Sequence, residues 1–334
     1  MYGMNQQLNE RIYTLARETV DINIETGKMG VCLYFFMLAD SLKSKIYQQW
    51  AEKLLDEIYA QLSQNISVRT IPDLLQVGIG INFLFNRKYV KGNINQALRE
   101  LDVVLFQRMT VSKNPQVLTY ETPGFLYILY YLYLRLEKQK PNSDNRFLTG
   151  ELTIKALNEV YTSINSSFYD EPDLFSLDYN LPPFLFVISK IHSLNFYNYR
   201  INEVIKEMAG LIQSRIPALH ANRLYLLWGL VHLKRVTGYE FWNEQIDMIY
   251  HSISIPKIIE QELRNKQVFI KNGVAGIYLL LAALEKIGCK IPYNIEILRK
   301  RINDSYPQQS LIFAYGMSGL LWVDHLINKR INTL

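Results

Sequence analysis

Five histidines, two cysteines and a set of loop carboxylates are the residues in this chain with chemistry to offer. His192, His220, His232, His251 and His325 occur singly, with no HExxH pair and no Cys/His set at metal-ligand spacing. Three of them, His192, His232 and His325, fall along apolar stretches, where a hydrogen-bonded core or rim imidazole is the expectation. His220 differs: it stands beside Asn222 and Arg223 in a polar break ahead of an apolar run, from which it can reach a ligand. Cys32 and Cys289 are too few and too far apart for a disulfide framework. Both are expected as reduced thiols, which places the chain in a reducing, cytoplasmic setting.

Glu25, Asp73, Glu121, Asp178 and Asp304 each precede an apolar run. Two such carboxylates facing one another across a glycosidic bond would supply an acid and a base or nucleophile. The same residues at helix N-termini would satisfy orphan N–H groups and the helix dipole. Capping is the expectation, with the hydrolase kept open. The chain holds 23 tyrosines. Tyr127, Tyr130, Tyr131 and Tyr133 stud one segment, and their amphipathic rings suit packing or contact with a peptide or sugar. There is no Walker A sequence, nucleophile elbow or dinucleotide fingerprint: Gly78-Ile-Gly80 lacks the preceding strand and the third glycine.

The segments that must position these residues repeat. Apolar runs recur at Val31–Ala39, Ile79–Phe85, Phe125–Leu136, Phe184–Ile191, Leu224–Leu233, Ile277–Leu284 and Leu320–Ile327, a period of about 43–58 residues. Gly27-Lys-Met-Gly30, Gly273-Val-Ala-Gly276 and Gly316-Met-Ser-Gly319 open three of them, with looser copies at Gly78-Ile-Gly80 and Thr122-Pro-Gly124. Between them, stretches such as Tyr47–Leu62 place Tyr47, Trp50, Leu54, Ile58 and Leu62 at three- and four-residue steps, the pattern of an amphipathic helix. Arg11–Thr19, Asn95–Met109, Glu151–Ile164, Glu203–Ile216, Trp242–Ile253 and Tyr293–Ile302 repeat it. The apolar runs are hydrophobic nearly all round, so they predict buried helices. Each unit reads as an outer amphipathic helix, a glycine loop and an inner helix. Seven such hairpins, none able to bury its inner helix alone, predict an all-α, single-domain α/α toroid (barrel) over residues 1–334. An open solenoid is the alternative.

The chain has 334 residues, 49% of them hydrophobic and 20% charged, which excludes a disordered chain. Its net charge of +5 arises from 36 basic and 31 acidic residues without a basic block, so no nucleic-acid partner is expected. The longest apolar runs are about half the roughly 20 residues of a membrane span, and the polar N-terminal residues carry no signal-peptide pattern.

Seven hairpins with Gly-x-x-Gly-aliphatic loops resemble the lanthionine synthetase C-like family over essentially the whole chain. The resemblance implies an α/α toroid with a zinc site at one mouth, where the metal activates a peptide cysteine thiolate for addition to a dehydrated Ser or Thr. In the family, zinc is held by a Cys before the fifth glycine loop and a Cys-His pair before the sixth, and a fourth-hairpin His is the usual acid/base. Here Lys271-Asn272-Gly273 replaces Cys-His-Gly, Ala218 stands where the fifth-hairpin Cys would, Leu219-His220-Ala221-Asn222-Arg223 replaces the glycine loop, and Tyr179 lies near the acid/base position. A protonated lysine cannot ligate zinc and instead attracts an anion. The expectation is therefore a relative without the zinc ligands, with no metal or cofactor and no zinc-dependent cyclase activity, any other turnover being left open. It would be a peptide-binding or scaffold component of a lanthipeptide-like modification pathway, its partners a precursor peptide and a modifying enzyme or exporter. Tyr179, His220, Arg223, Lys271, Asn272 and Tyr315 are the expected lining, with Gly27, Gly78, Glu121 and Asp178 at the same mouth. A toroid glycoside hydrolase and a protein-interaction adaptor are the other readings.

Overall fold

The computed structural model describes residues 2–66, 69–110, 118–263, 267–303 and 313–331. Asp304 and the loop ahead of residue 313 lie outside them. All regular structure among the described residues is helical. In chain order the helices are α1 (Tyr2–Glu18), α2 (Lys28–Leu42), α3 (Lys45–Asn65), α4 (Ile71–Asn86), α5 (Ile94–Ala97), α6 (Arg99–Thr110), α7 (Phe125–Lys138) and α8 (Asp144–Ser163). They continue as α9 (Leu181–Ser193), α10 (Asn198–Gln213), α11 (His220–Thr237), α12 (Asn243–Ser252), α13 (Ile255–Lys257), α14 (Val274–Lys286), α15 (Ile295–Asn303) and α16 (Met317–Ile331). Every one of the seven apolar runs falls inside a helix: α2, α4, α7, α9, α11, α14 or α16. The segment read as one helix from Asn95 is two, α5 and α6, broken at Leu98. No described helix is long and apolar enough to cross a membrane.

The chain forms two compact units. The first comprises Met1–Gln116 with Asp304–Leu334. In it α2 is the hub: α1, α3, α4 and the C-terminal α16 all pack on it. Residues Lys28 to Phe36 of α2 are buried without a break, as expected of a helix apolar on every side. Its partner α3 buries the stripe Ala51, Leu54, Leu55, Ile58 and Leu62. Burial of one such Leu or Ile side chain contributes about 1.5–3 kcal/mol. Phe35, Tyr13, Tyr47 and Trp50 close the α1–α2–α3 contact with stacked and edge-on rings. The α16–α2 contact brings the two ends of the chain together, with Ala314 N–H donating to the Glu25 carbonyl at 3.1 Å. His325 Nε2 lies 2.5 Å from Ser41 Oγ in the same contact.

The second unit spans Val117–Asn303. Its inner helices form a row, α7 on α9, α9 on α11 and α11 on α14. Each is backed by the helix that follows it: α8, α10, α12 and α15. Gly229 of α11 allows the closest approach in the row, since a Cβ there would stand 2.7 Å from the Pro182 carbonyl oxygen of α9. Phe186 of α9 stacks on Trp228 of α11, and His232 meets both rings edge-on. Burial, with Lys190 and Arg235 nearby, pushes the His232 imidazole down to about 4.

The Gly-x-x-Gly loops share one construction in both units. Ahead of α2 the chain crosses the helix N-terminus, so that the carbonyls of Asp21, Ile22 and Asn23 accept from the N–H groups of Lys28, Met29 and Gly30. Ahead of α14, the Gln267 and Val268 carbonyls accept from Val274 and Ala275 in the same way. A Cβ on Gly27 or Gly273 would come within 2.6 or 2.5 Å of the crossing backbone, and one on Gly30 or Gly276 would collide with the Ile24 or Ile270 carbonyl. The glycines are there because backbone passes where a side chain would be.

One charged network lies inside the first unit. Lys28, with a side chain only 2% exposed, bonds Glu57 Oε2 at 2.8 Å and the Arg17 carbonyl at 2.7 Å. Arg17 holds the other Glu57 oxygen at 2.8 Å. Burial alone would raise the Glu57 carboxyl, but the hydrogen bonds from Lys28 and Arg17 hold it below the usual range.

Two predictions follow from this packing. Glu57→Ala strands the Lys28 ammonium, whereas Lys28→Met removes the buried charge and leaves Glu57 paired with Arg17. Denaturant unfolding is expected to show a loss of about 3 kcal/mol for the first and under about 1 kcal/mol for the second; equal losses would contradict the network. His232 titrates near 6.5 when unfolded and near 4 when folded. Only the unfolded chain gains this proton as pH falls from about 6.5 to about 4, so stability declines across that window and is complete above it. Melting temperatures from pH 4 to 7 should show a shallower decline for His232→Gln than for the native protein.

Candidate functional site

In the second unit, the loops before α7, α9, α11 and α14 bond to one another, so the N-terminal ends of these helices share a mouth. The Tyr120 hydroxyl, before α7, is 2.9 Å from Asn165 Oδ1 and 2.7 Å from Ser167 Oγ, on the path to α9. Leu177, before α9, donates its N–H to the Lys271 carbonyl at 2.8 Å, before α14. Tyr225, in the first turns of α11, aims its hydroxyl at the Leu177 carbonyl, 3.4 Å away.

Lys271 and Asp178 reinforce the same junction. Their Nζ and Oδ1 are 2.7 Å apart, with side chains 12% and 63% exposed. The anion expected beside Lys271 is therefore a carboxylate of this chain. At that exposure the pair is worth about 1 kcal/mol or less.

His220 is the first residue of α11, where the glycine loop is missing. The N–H groups of His220 and Ala221 donate to the two oxygens of Glu262, at 2.6 and 2.9 Å. Glu262 ends a π-helical turn, Ile258–Glu262, after α13. The Ala218 N–H donates to Glu171, whose other oxygen accepts from Asn222 Nδ2 at 2.8 Å. Glu262 thus does for α11 what crossing carbonyls do for α2 and α14, while Glu171 ties the preceding Ala218 N–H to the Asn222 side chain. The His220 ring places Nδ1 2.9 Å from the Ser252 carbonyl, which requires the proton on Nδ1 and leaves Nε2 as the acceptor. Arg223 spends its guanidinium on the carbonyls of Pro217, Ala218 and Ser252. The buried amide oxygens of Asn222 and Asn272 have no hydrogen-bond partner among the described residues.

Beside these residues a cleft of about 450 Å³ opens, with Tyr169, Asp170, Glu171 and Tyr179 on one side and Ser214–Pro217 on the other. Arg215 Nη1 lies 2.5 Å from Asp170 Oδ1 and 3.2 Å from the Ser166 carbonyl, with its guanidinium 5.7 Å from the Tyr169 ring centre. The Tyr179 hydroxyl lies 3.4 Å from the Tyr169 carbonyl. Burial, with Glu171 nearby, raises its pKa, so it stays a neutral phenol and is no base near neutral pH. Ser214 donates to the Leu211 carbonyl at 2.9 Å and has no base beside it. Among the described residues that line it, the cleft offers aromatic walls, two carboxylates and a guanidinium, and no nucleophile–base pair.

Of the expected lining, the structure connects Tyr179, His220, Arg223, Lys271 and Asn272 at one end of the second unit, Tyr179 alone lining the cleft. Tyr315 belongs to the first unit, half-buried in the turn before α16. There Gly27 precedes α2, and Gln76 of α4 accepts from the N–H groups of Ile24 and Glu25 at 3.1 Å. The carboxylates divide. Thr70 caps α4 by accepting from the Asp73 N–H, the Asp73 carboxylate accepts from the Thr70 hydroxyl at 2.6 Å and from Asn23 at 2.8 Å, Asp178 serves Lys271, and Glu121 accepts from Tyr120 at 3.1 Å. Sequence reasoning missed Asp170, Glu171, Arg215 and Glu262. Glu171 and Glu262 accept backbone N–H groups across 47 and 42 positions, and no local spacing signals such a pairing.

The residues at the family's zinc positions do not fit the metal. Lys271 Nζ is committed to a carboxylate, Ala218 has no donor side chain, and Tyr179 holds its proton. Among the described residues, no three His, Cys, Asp or Glu side chains gather as a metal-binding group.

Glu262→Ala leaves two α11 N–H groups without an acceptor and is expected to cost about 1–2 kcal/mol. Lys271→Met is expected to cost about 1 kcal/mol or less. Urea denaturation of both separates a capping carboxylate from a partly exposed ion pair, and a reversed order would contradict the assignment.

No family model and no curated protein matches the chain.

Proposed function

We propose that the protein is an α/α toroid of the lanthionine synthetase C-like kind, with its zinc chemistry replaced by peptide binding at the mouth. The observation that carries this reading is the cleft of about 450 Å³ beside Tyr179, at the converging N-termini of the inner helices. The toroid is supported by the row α7–α9–α11–α14 in one unit and by the packing of α16 on α2 in the other. In a ring of seven hairpins, the last inner helix must neighbour the first. The loss of cyclase chemistry is supported by the donor set, because Lys271, Ala218 and Tyr179 cannot hold zinc or accept a thiol proton. In this reading the protein acts as a scaffold, holding a precursor peptide for a modifying enzyme or exporter in a reducing compartment.

The test uses a model peptide carrying one cysteine and one dehydroalanine. Calorimetry should register binding, and iodoacetamide alkylation afterwards should find the cysteine thiol intact, with or without added zinc. Zinc-dependent protection of the thiol, reporting addition of its S–H across the dehydroalanine double bond, would restore the cyclase. Absence of binding would remove the peptide reading.

A further inference from the structure

The second unit carries another surface, away from the mouth cleft. Phe186 of α9 and Trp228 of α11 stack with ring centres 4.5 Å apart and planes 25° apart. His232, one turn beyond Trp228, stands edge-on to Phe186 at 4.9 Å and to Trp228 at 5.3 Å. Tyr130 of α7 adjoins Phe186 at 6.1 Å. All four are only half-buried, while Phe184 and Leu224 on the same helices are fully enclosed. Three neighbouring helices therefore present one continuous aromatic platform.

The charge at this platform is positive toward the helix ends. Lys190 Nζ lies 5.1 Å over the Phe186 ring. Arg235 follows His232 by three residues and, with Lys190, lowers the affinity of the His232 ring for a proton, burial being the larger cause. Neither cation forms an ion pair with another described residue. On the α7 side, Glu137 is engaged by the Tyr133 hydroxyl at 2.8 Å and by Lys138 at 3.6 Å.

Resting on the peptide-binding reading, we infer that this face of α7, α9 and α11 binds an aromatic side chain flanked by carboxylates, as in an acidic aromatic peptide. The guest ring packs on Phe186 and Trp228, where offset or edge-on contact adds to the apolar area buried. The flanking carboxylates meet Lys190 and Arg235, which form no ion pair with another described residue. A basic guest is repelled by the same two charges, and an aliphatic guest forgoes the ring–ring geometry.

The probe is the peptide Ac-Glu-Phe-Asp-Phe-Glu-NH2, compared by calorimetry with a twin in which Gln and Asn replace the acids and a twin in which Leu replaces Phe. The acidic aromatic peptide should bind at least 10-fold more tightly than either twin. The double variant Lys190→Gln/Arg235→Gln, checked for folding by circular dichroism, should lose the preference for the acidic peptide. Equal affinity for all three peptides would overturn the ligand class while leaving peptide binding intact. A preference for the acidic peptide that survives in the double variant would overturn its placement on this face. Binding of none of the three would count against this inference, and the dehydroalanine peptide would then decide separately whether peptide binding at the mouth also fails.

Discussion

The N-termini of buried helices are the constraint from which the rest of this structure follows. A helix begins with N–H groups that have no partner within it, and an inner helix cannot offer all of them to water. The chain meets this demand in two ways. Ahead of α2 and α14 it lays backbone across the helix end, so that loop carbonyls accept the orphan N–H groups, and glycines at positions 27, 30, 273 and 276 make room. Ahead of α11 it has no such loop, and Glu262 delivers a carboxylate from elsewhere in the fold to the N–H groups of His220 and Ala221. A carboxylate adds negative charge at the positive end of the helix dipole as well as an acceptor. The substitution is thus physically sound, and it explains how an inner helix can lack the glycine pair.

That solution determines what the mouth can do. A side chain committed to holding a loop is not free to act on a substrate. Lys271 braces the α9 loop through Asp178, Arg223 clamps the Pro217–Ala218 turn, and Glu171 spends both oxygens on the Ala218 N–H and Asn222. Lys271 and the Ala218 N–H carry structural bonds, and Tyr179 keeps its phenolic proton. What remains available is the cleft wall of Tyr169, Asp170 and Tyr179, the Nε2 of His220, and the unsatisfied amide oxygens of Asn222 and Asn272.

Much of the helical framework was legible in the sequence because it is written in short-range periodicity. A run apolar on all faces must be buried, and a stripe at three- and four-residue steps must face a core; both rules located α2, α3, α9 and α14 to within a few residues. Leu98 was not legible as a break, because Asn95–Met109 keeps its apolar periodicity through the point where α5 ends. The candidate site was legible only in part. Lys271, His220 and Tyr179 were found because they interrupt or follow a repeating loop. Asp170, Glu171, Arg215 and Glu262 were not, because their partners lie 41 to 51 positions away and are mostly backbone groups or a single opposite charge. Long-range capping leaves no pattern in one sequence.

The internal bonding of the mouth also bears on how a guest would be held. Binding costs free energy for each side chain that must be immobilised, roughly 0.5–1.5 kcal/mol for a rotamer-rich one. Arg215 is already fixed by Asp170, the Ser166 carbonyl and the Tyr169 ring, and Arg223 by three carbonyls, so little further ordering is needed on the protein side. The side chains that brace the loops and those that line the cleft are thus parts of one arrangement, since Arg215 does both.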